Sequence, residues 1–185
     1  MTDAELRAAL VERAYLEGDF VLRSGARSPY YLDKYRFETR PELLEALGAR
    51  VAAAVAEVDP VATRLAGPEL GAVILMAAAS MQSRLPFVIV RKQAKSYGTA
   101  RRLEGEFEPG ERVCIVEDVV TSGGAALEAV AALREAGLEC GAAVCVFDRE
   151  EGGSEALARH EVDLWPLFLA SDLVPASESA AKPHD

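Results

Sequence analysis

Three short, uninterrupted apolar runs constrain this chain more than any other feature: Phe87-Val88-Ile89-Val90, Val113-Cys114-Ile115-Val116 and Ala142-Ala143-Val144-Cys145-Val146-Phe147. A strand that is apolar at every position is covered on both faces, whereas a half-exposed strand alternates. Helical patterns separate these runs. Residues 125–136 place Leu127, Val130 and Leu133 on one stripe before Gly137, and an apolar helix ends near Gln82. Buried strands alternating with helices predict an α/β fold with a mainly parallel sheet and helices on both faces. Residues 62–66 supply a further short strand, 155–160 a further helix and 162–168 an edge strand. Upstream, Pro41 suits a first helical position ahead of a stripe at Leu43, Leu44, Leu47, Val51 and Val55. Leu6, Leu10 and Ala14 predict a helix capped by Thr2 or Asp3 and ended by Gly18. Phe20 and Leu22, then Tyr30 and Leu32, read as two strands around a turn at residues 24–29.

The 185 residues suit one domain, taken as 1–174, with 175–185 a small, polar tail expected to be disordered. There are 30 Asp and Glu against 20 Lys and Arg, a net charge of −10. That balance argues against nucleic acid or an anionic membrane as partner, because both attract basic surfaces. A small anion in a locally basic pocket stays compatible with it. The 3 cysteines, Cys114, Cys140 and Cys145, have no metal-ligand spacing, and Cys114 and Cys145 lie in apolar runs as small hydrophobes. The N-terminus lacks an export pattern, and no apolar stretch approaches the ~20 residues of a membrane span. A soluble, cytoplasmic protein is expected.

Ligands of open parallel sheets bind at the carboxyl ends of the strands. The run at 113–116 is followed by Glu117-Asp118 and then Thr121-Ser122-Gly123-Gly124. Two adjacent carboxylates suit the two hydroxyls of a ribose. The Gly-rich turn offers amides and hydroxyls at a helix N-terminus, which suits a phosphate. The plain alternative is a connecting loop in which Asp118 or Ser122 merely caps the helix. No Lys follows the second glycine, so this is not a Walker loop. A second feature is Arg91-Lys92-Gln93-Ala94-Lys95-Ser96-Tyr97-Gly98, which holds two of the four lysines of an acidic chain. It begins where a buried strand ends and is bounded by Gly98 and Gly105, which suit lid hinges. A solvated basic turn is its plain alternative.

The acid pair with Thr-Ser-Gly-Gly resembles the phosphoribosyl-diphosphate (PRPP) loop of type I phosphoribosyltransferases. The basic loop narrows the resemblance to orotate phosphoribosyltransferases, whose Arg-Lys-x-x-x-Lys-x-His-Gly pattern is matched at Arg91, Lys92 and Lys95. Tyr97 stands at the family's His, and a Tyr can donate a hydrogen bond to diphosphate but cannot become cationic. Residues 20–31 resemble the family's N-terminal hood, about 1–38, with Arg23 in place of a Lys and Tyr31 keeping one aromatic. Asp148-Arg149 resembles the family's Asp-Arg segment, where a planar guanidinium matches the orotate carboxylate. Its plain alternative is a surface Arg paired with Glu150. The loop Gly67-Pro68-Glu69-Leu70-Gly71, which the resemblance implies binds diphosphate through backbone groups, departs from the family, many of whose members carry a Lys near Leu70.

The resemblance spans about residues 6–173. It implies a type I phosphoribosyltransferase fold and phosphoribosyl transfer from PRPP to orotate, giving orotidine 5′-monophosphate and diphosphate. It assigns PRPP to Arg91, Lys92, Lys95, Tyr97, Glu117, Asp118, Val119, Val120, Thr121, Ser122, Gly123, Gly124 and Ala125. Orotate falls to Thr121, Arg149, Arg23 and Tyr31, and catalysis to Lys95, Arg91 and Asp118. Mg²⁺ is implied on the diphosphate and ribose oxygens, with Asp118 the candidate protein contact. A homodimer with shared active sites is implied as well. A purine phosphoribosyltransferase is the nearest competitor, disfavoured by Arg149 because a purine has no carboxylate. A non-catalytic PRPP-sensing regulator is the competitor from another class, favoured by Tyr97 and the missing loop lysine. His160 and His184 have no catalytic company, and Trp165, Met76 and Met81 read as packing.

Overall fold

The computed structural model describes residues 1–21, 27–92 and 102–172. Helix α1 (Asp3–Ala14) opens on a capping box, in which the Thr2 hydroxyl accepts from the Glu5 amide and the Glu5 carboxylate accepts from the Thr2 amide. It buries Leu6, Leu10 and Ala14. The helix ends at Ala14 rather than at Gly18. Its buried face is complete there, and the chain passes directly into strand β1 (Tyr15–Val21), which contains Gly18. β1 pairs antiparallel with β2 (Arg27–Leu32), and Tyr15 stacks on Tyr30 at 5.4 Å between ring centroids. This hairpin is a separate two-stranded sheet. A single turn, α2 (Tyr35–Glu38), follows it.

Helix α3 (Pro41–Val58) starts with the expected Pro and buries Leu43, Leu47, Val51 and Val55. Strand β3 (Arg64–Pro68) leads into α4 (Gly71–Ser83), whose closeness to α3 is set by Gly48: a Cβ there would lie 2.7 Å from that of Ala78. Next come β4 (Phe87–Val90), the two-residue β5 (Leu103–Glu104), β6 (Arg112–Val120) and α5 (Gly124–Glu135). The chain ends in β7 (Glu139–Asp148), α6 (Gly153–Ala158), β8 (Asp163–Leu169) and a 3-10 turn, Ala170–Asp172. Six strands form one sheet in the order β5-β4-β3-β6-β7-β8. Every pairing is parallel except β5 against β4.

Alternating side chains of the central strands build two cores. Leu65, Cys114, Val116 and Val144 join α1, α3 and α4, whereas Ala66, Val113, Ile115 and Ala143 join α5 and α6. The expected architecture, with helices on both faces and 162–168 at an edge, is therefore present. Three expectations need correction. The run at 113–116 is only the middle of a nine-residue strand that continues through Glu117 and Asp118. Trp165 is 45% exposed and Met81 74% exposed, so neither is core; Trp165 lies in the edge strand β8 and Met81 in the last turn of α4. Met76 is fully buried, as expected. The tail at 175–185 lies outside the described residues. Among the described residues no helix is long and apolar enough to cross a membrane.

Candidate active site

A cavity of about 610 Å³ lies at the carboxyl ends of β3, β4 and β6. Its walls bring together Arg91, Lys92, Glu117, Asp118, Val119, Thr121, Ser122, Gly124 and Ala125, nine residues expected at the PRPP site. Val120 and Gly123 support this wall from behind. Val120 is 2% exposed, and its carbonyl accepts from the Arg149 amide at 2.8 Å. Gly123 turns the chain into α5 at φ +80°, a region that favours glycine. No side chain caps α5. The plain reading of Asp118 or Ser122 as a cap therefore fails, and the first-turn amides face the cavity beside Thr121 and Ser122, an arrangement that favours an anion.

The two acids are held by their own strand. Asp118 Oδ1 accepts from the Val119 amide at 2.6 Å, and Glu117 Oε1 accepts from the Asp118 amide at 3.1 Å. Burial, reinforced by the Asp118 charge, raises the Glu117 carboxyl well above its ordinary value, so it favours the protonated form. Asp118 Oδ2 accepts from the Lys34 ammonium. Burial opposes the Lys34 charge, but Asp118, with Glu117 and Glu38 behind it, outweighs burial and holds the ammonium above its ordinary value.

The basic segment starts at the opposite wall. Glu69 Oε1 accepts from the Lys92 amide at 2.9 Å, and Arg91 Nε lies 3.8 Å from Glu69 Oε2. Arg102 Nε donates to the Arg91 carbonyl at 3.3 Å. The loop at 67–71 is tied to β4 by the Glu69 amide, which donates to the Val90 carbonyl at 2.9 Å, and its Glu69–Leu70 peptide is cis. Gly71 has no room for a Cβ, because the Asp118 carboxylate and the Lys34 ammonium occupy that space.

Arg149 follows β7, next to the end of β6, but does not line the cavity. Its guanidinium lies 5.0 Å over the Tyr30 ring, and its Nε is 3.0 Å from Glu151 Oε1 without hydrogen-bond alignment. The side chain is 8% exposed, so the surface pair with Glu150 is not formed, and Glu150 accepts from the Ser171 amide instead. Tyr31 packs on Phe20 at 5.6 Å, away from the cavity wall. Arg23, Lys95 and Tyr97 lie outside the described residues.

Sequence reasoning missed Lys34, Glu38 and the Tyr30 contact. Glu38 is fully buried and neither carboxylate oxygen has a hydrogen-bond partner among the described residues. Burial, then the Asp118 charge, pushes its carboxyl up to about 8. A lysine and a glutamate four residues apart, just after an aromatic hairpin, were the available signal. The three cysteines are buried, and burial pushes the Cys114 thiol up to about 12, so it stays protonated.

The family model described as "Phosphoribosyl transferase domain" matches residues 44–163. Orotate phosphoribosyltransferase of Halobacterium salinarum is 48% identical over 175 residues, covering 95% of this chain and 98% of that protein. The crystal structure of Mycobacterium tuberculosis H37Rv orotate phosphoribosyltransferase in complex with Fe(III) dicitrate matches with a TM-score of 0.82 at 30% identity, over 94% of this chain and 99% of that one. The same enzyme in complex with PRPP matches at a TM-score of 0.78 and 27% identity, over 92% of this chain and 98% of that one. The buried acid pair, the uncapped helix N-terminus and the basic wall thus sit in a fold shared with these proteins over 92–95% of this chain, and the chain belongs to the orotate phosphoribosyltransferase family of type I phosphoribosyltransferases.

Proposed function

We propose that this protein transfers the 5-phosphoribosyl group of PRPP to orotate, releasing diphosphate and forming orotidine 5′-monophosphate for pyrimidine biosynthesis. The observation that carries this reading is one cavity in which an acid pair, an uncapped helix N-terminus and the Arg91–Lys92 wall face the same space. The first-turn amides of α5, with Thr121, Ser122, Gly124 and Ala125, bind the 5′-phosphate. Glu117 and Asp118 accept from the ribose hydroxyls and fix the sugar. As the bond from C1′ to diphosphate breaks and the bond to the orotate ring nitrogen forms, positive charge grows on the ribose and negative charge on the leaving group. Arg91, Lys92 and Lys95 stabilise that negative charge, which matters more in the transition state than in the ground state. Tyr97 orients the diphosphate.

Asp118 already holds a cation in the cavity, the Lys34 ammonium, so its carboxylate fits a cation there. Mg²⁺ carried by PRPP would supply charge neutralisation for the departing diphosphate, and Asp118 is the side chain that would meet it. Arg149 pairs with the orotate carboxylate after exchanging its neighbour Glu151, with Thr121, Tyr31 and Arg23 completing the base side. The protein acts in the cytoplasm as a homodimer whose basic loop serves the neighbouring cavity; the exposed Leu70 and Met81 support an interface between copies.

The experiment is turnover of orotate with PRPP and Mg²⁺, followed by orotate loss and diphosphate release. Orotate-dependent diphosphate release is expected. Release that requires hypoxanthine or adenine instead would move the protein to the purine side of the superfamily, and tight PRPP binding without any turnover would make it a sensor.

A further inference from the structure

Lys34 is a cavity cation that no motif pointed to. It precedes α2, lines the cavity, and its ammonium donates to Asp118 Oδ2. The same nitrogen lies 2.9 Å from where a Cβ on Gly71 would be, so it stands at the junction of the acid pair and the 67–71 loop. That loop, Gly67-Pro68-Glu69-Leu70-Gly71, contains no basic residue and carries one carboxylate. The Lys34 side chain is 30% exposed and that of Asp118 3%, so the cation is on the open side of the pair. A lysine suits such a place, because its ammonium is a compact charge on a flexible stem.

Each oxygen of Asp118 already has one partner, Oδ1 the Val119 amide and Oδ2 Lys34. A ribose hydroxyl that donates to Oδ2, the oxygen on the open side, shares it with the ammonium and weakens the ammonium's hold there. A displaced ammonium beside Gly71 needs a new anion, and a diphosphate lying along the 67–71 loop is the nearest one the substrate brings. Resting on the PRPP reading of the cavity, we propose that Lys34 is a substrate-displaced cation. It neutralises Asp118 in the empty site and passes to the diphosphate when PRPP binds, supplying the positive charge that the 67–71 loop lacks.

The test separates the two halves of the substrate by calorimetric titration of the whole protein with Mg-diphosphate alone, ribose 5-phosphate alone and PRPP. Lys34→Met is expected to bind diphosphate and PRPP about 10–100-fold more weakly, the value of a charge-assisted contact. Ribose 5-phosphate should bind as in the wild type or more tightly, since Asp118 is freed. The KM for PRPP should rise while that for orotate holds, and Lys34→Arg should recover most of the diphosphate affinity. Lys34→Gln carries the same expectations as Lys34→Met should the latter fail to fold. Diphosphate affinity within twofold of wild type in a folded variant overturns the proposal. So does an equal loss for ribose 5-phosphate and diphosphate, which would mean that Lys34 only organises Asp118. A wild type that binds neither PRPP nor diphosphate defeats the PRPP reading itself, a result recognisable before any variant is made.

Discussion

Replacing Glu38 by Gln should stabilise this protein, increasingly so as pH rises. Glu38 is fully buried in α2, with both oxygens unpartnered among the described residues. The charges that act on it are Asp118 and Asp33, which oppose ionisation, and Lys34, which favours it. Burial is the largest cause of its elevated pKa of about 8, against an ordinary value of 4.5. Between these values the native state keeps a proton that the unfolded chain has released. Stability contributed by the neutral carboxyl is thus complete below pH 4.5 and is lost progressively until pH passes 8. The full shift corresponds to about 5 kcal/mol at 1.36 kcal/mol per unit. Relaxation around an ionised side chain reduces this to roughly 2–3 kcal/mol. Glu38→Gln keeps the shape and cannot ionise, so it should match the wild type near pH 5. By pH 9 it should exceed it by those 2–3 kcal/mol, roughly 5–10 °C in Tm for a chain of this size. Thermal melts of both proteins across pH 5–9 measure the difference directly, because every other titration is common to the two. Parallel curves, or a Gln variant less stable at pH 9, would refute the reasoning.

Three further predictions concern the candidate site and its surroundings. Arg149→Ala should raise the KM for orotate about 10–100-fold and leave that for PRPP within threefold, and Arg149→Lys should not restore it because an ammonium lacks the planar fork; equal losses for both substrates would remove the assigned role. Gly71→Ala must displace the Asp118 carboxylate or the Lys34 ammonium, so PRPP affinity should fall about tenfold or more, a result checked by titration calorimetry. Asp118→Asn should lower kcat/KM for PRPP by about two orders of magnitude, by weakening the grip on the sugar and leaving Lys34 uncompensated; a change below threefold in steady-state assays would contradict its position in the mechanism.

The sheet was legible because strands buried on both faces need apolar residues at every position, as the runs at 87–90, 113–116 and 142–147 have. Helix α3 was legible from its Pro41 start and its stripe of leucines and valines. The strand end was not, because Glu117 and Asp118 are acidic residues that remain in a buried strand, with one oxygen of each engaged by a backbone amide. Hydropathy has no access to that kind of compensation. Trp165 and Met81 misled for the converse reason: apolar side chains are common on surfaces, so apolarity alone does not place a residue inside. At the site, local order carried the acid pair and the turn into α5, whose residues are contiguous. Lys34 was invisible because it meets Asp118 across 84 residues, through the docking of the segment after the hairpin on the sheet. Glu38 shares that origin.

The length of β6 has a consequence for what the site can recognise. Its pairing with β3 ends at Ala66 and Ile115, but its ladder with β7 continues to Val120 and Asp148. The acid pair and the strand end that precedes Arg149 therefore ride on one two-stranded ruler, graduated by a strand spacing of about 4.8 Å. On the proposed reading, the spacing between the sugar and the ring it receives is tied to that register. A shift of that register by one residue would exchange the faces on which Glu117 and Asp118 lie, so the spacing cannot be adjusted in small steps. Any change in the preferred ring must come from the hairpin that leans on the ruler, where Tyr30 touches Arg149.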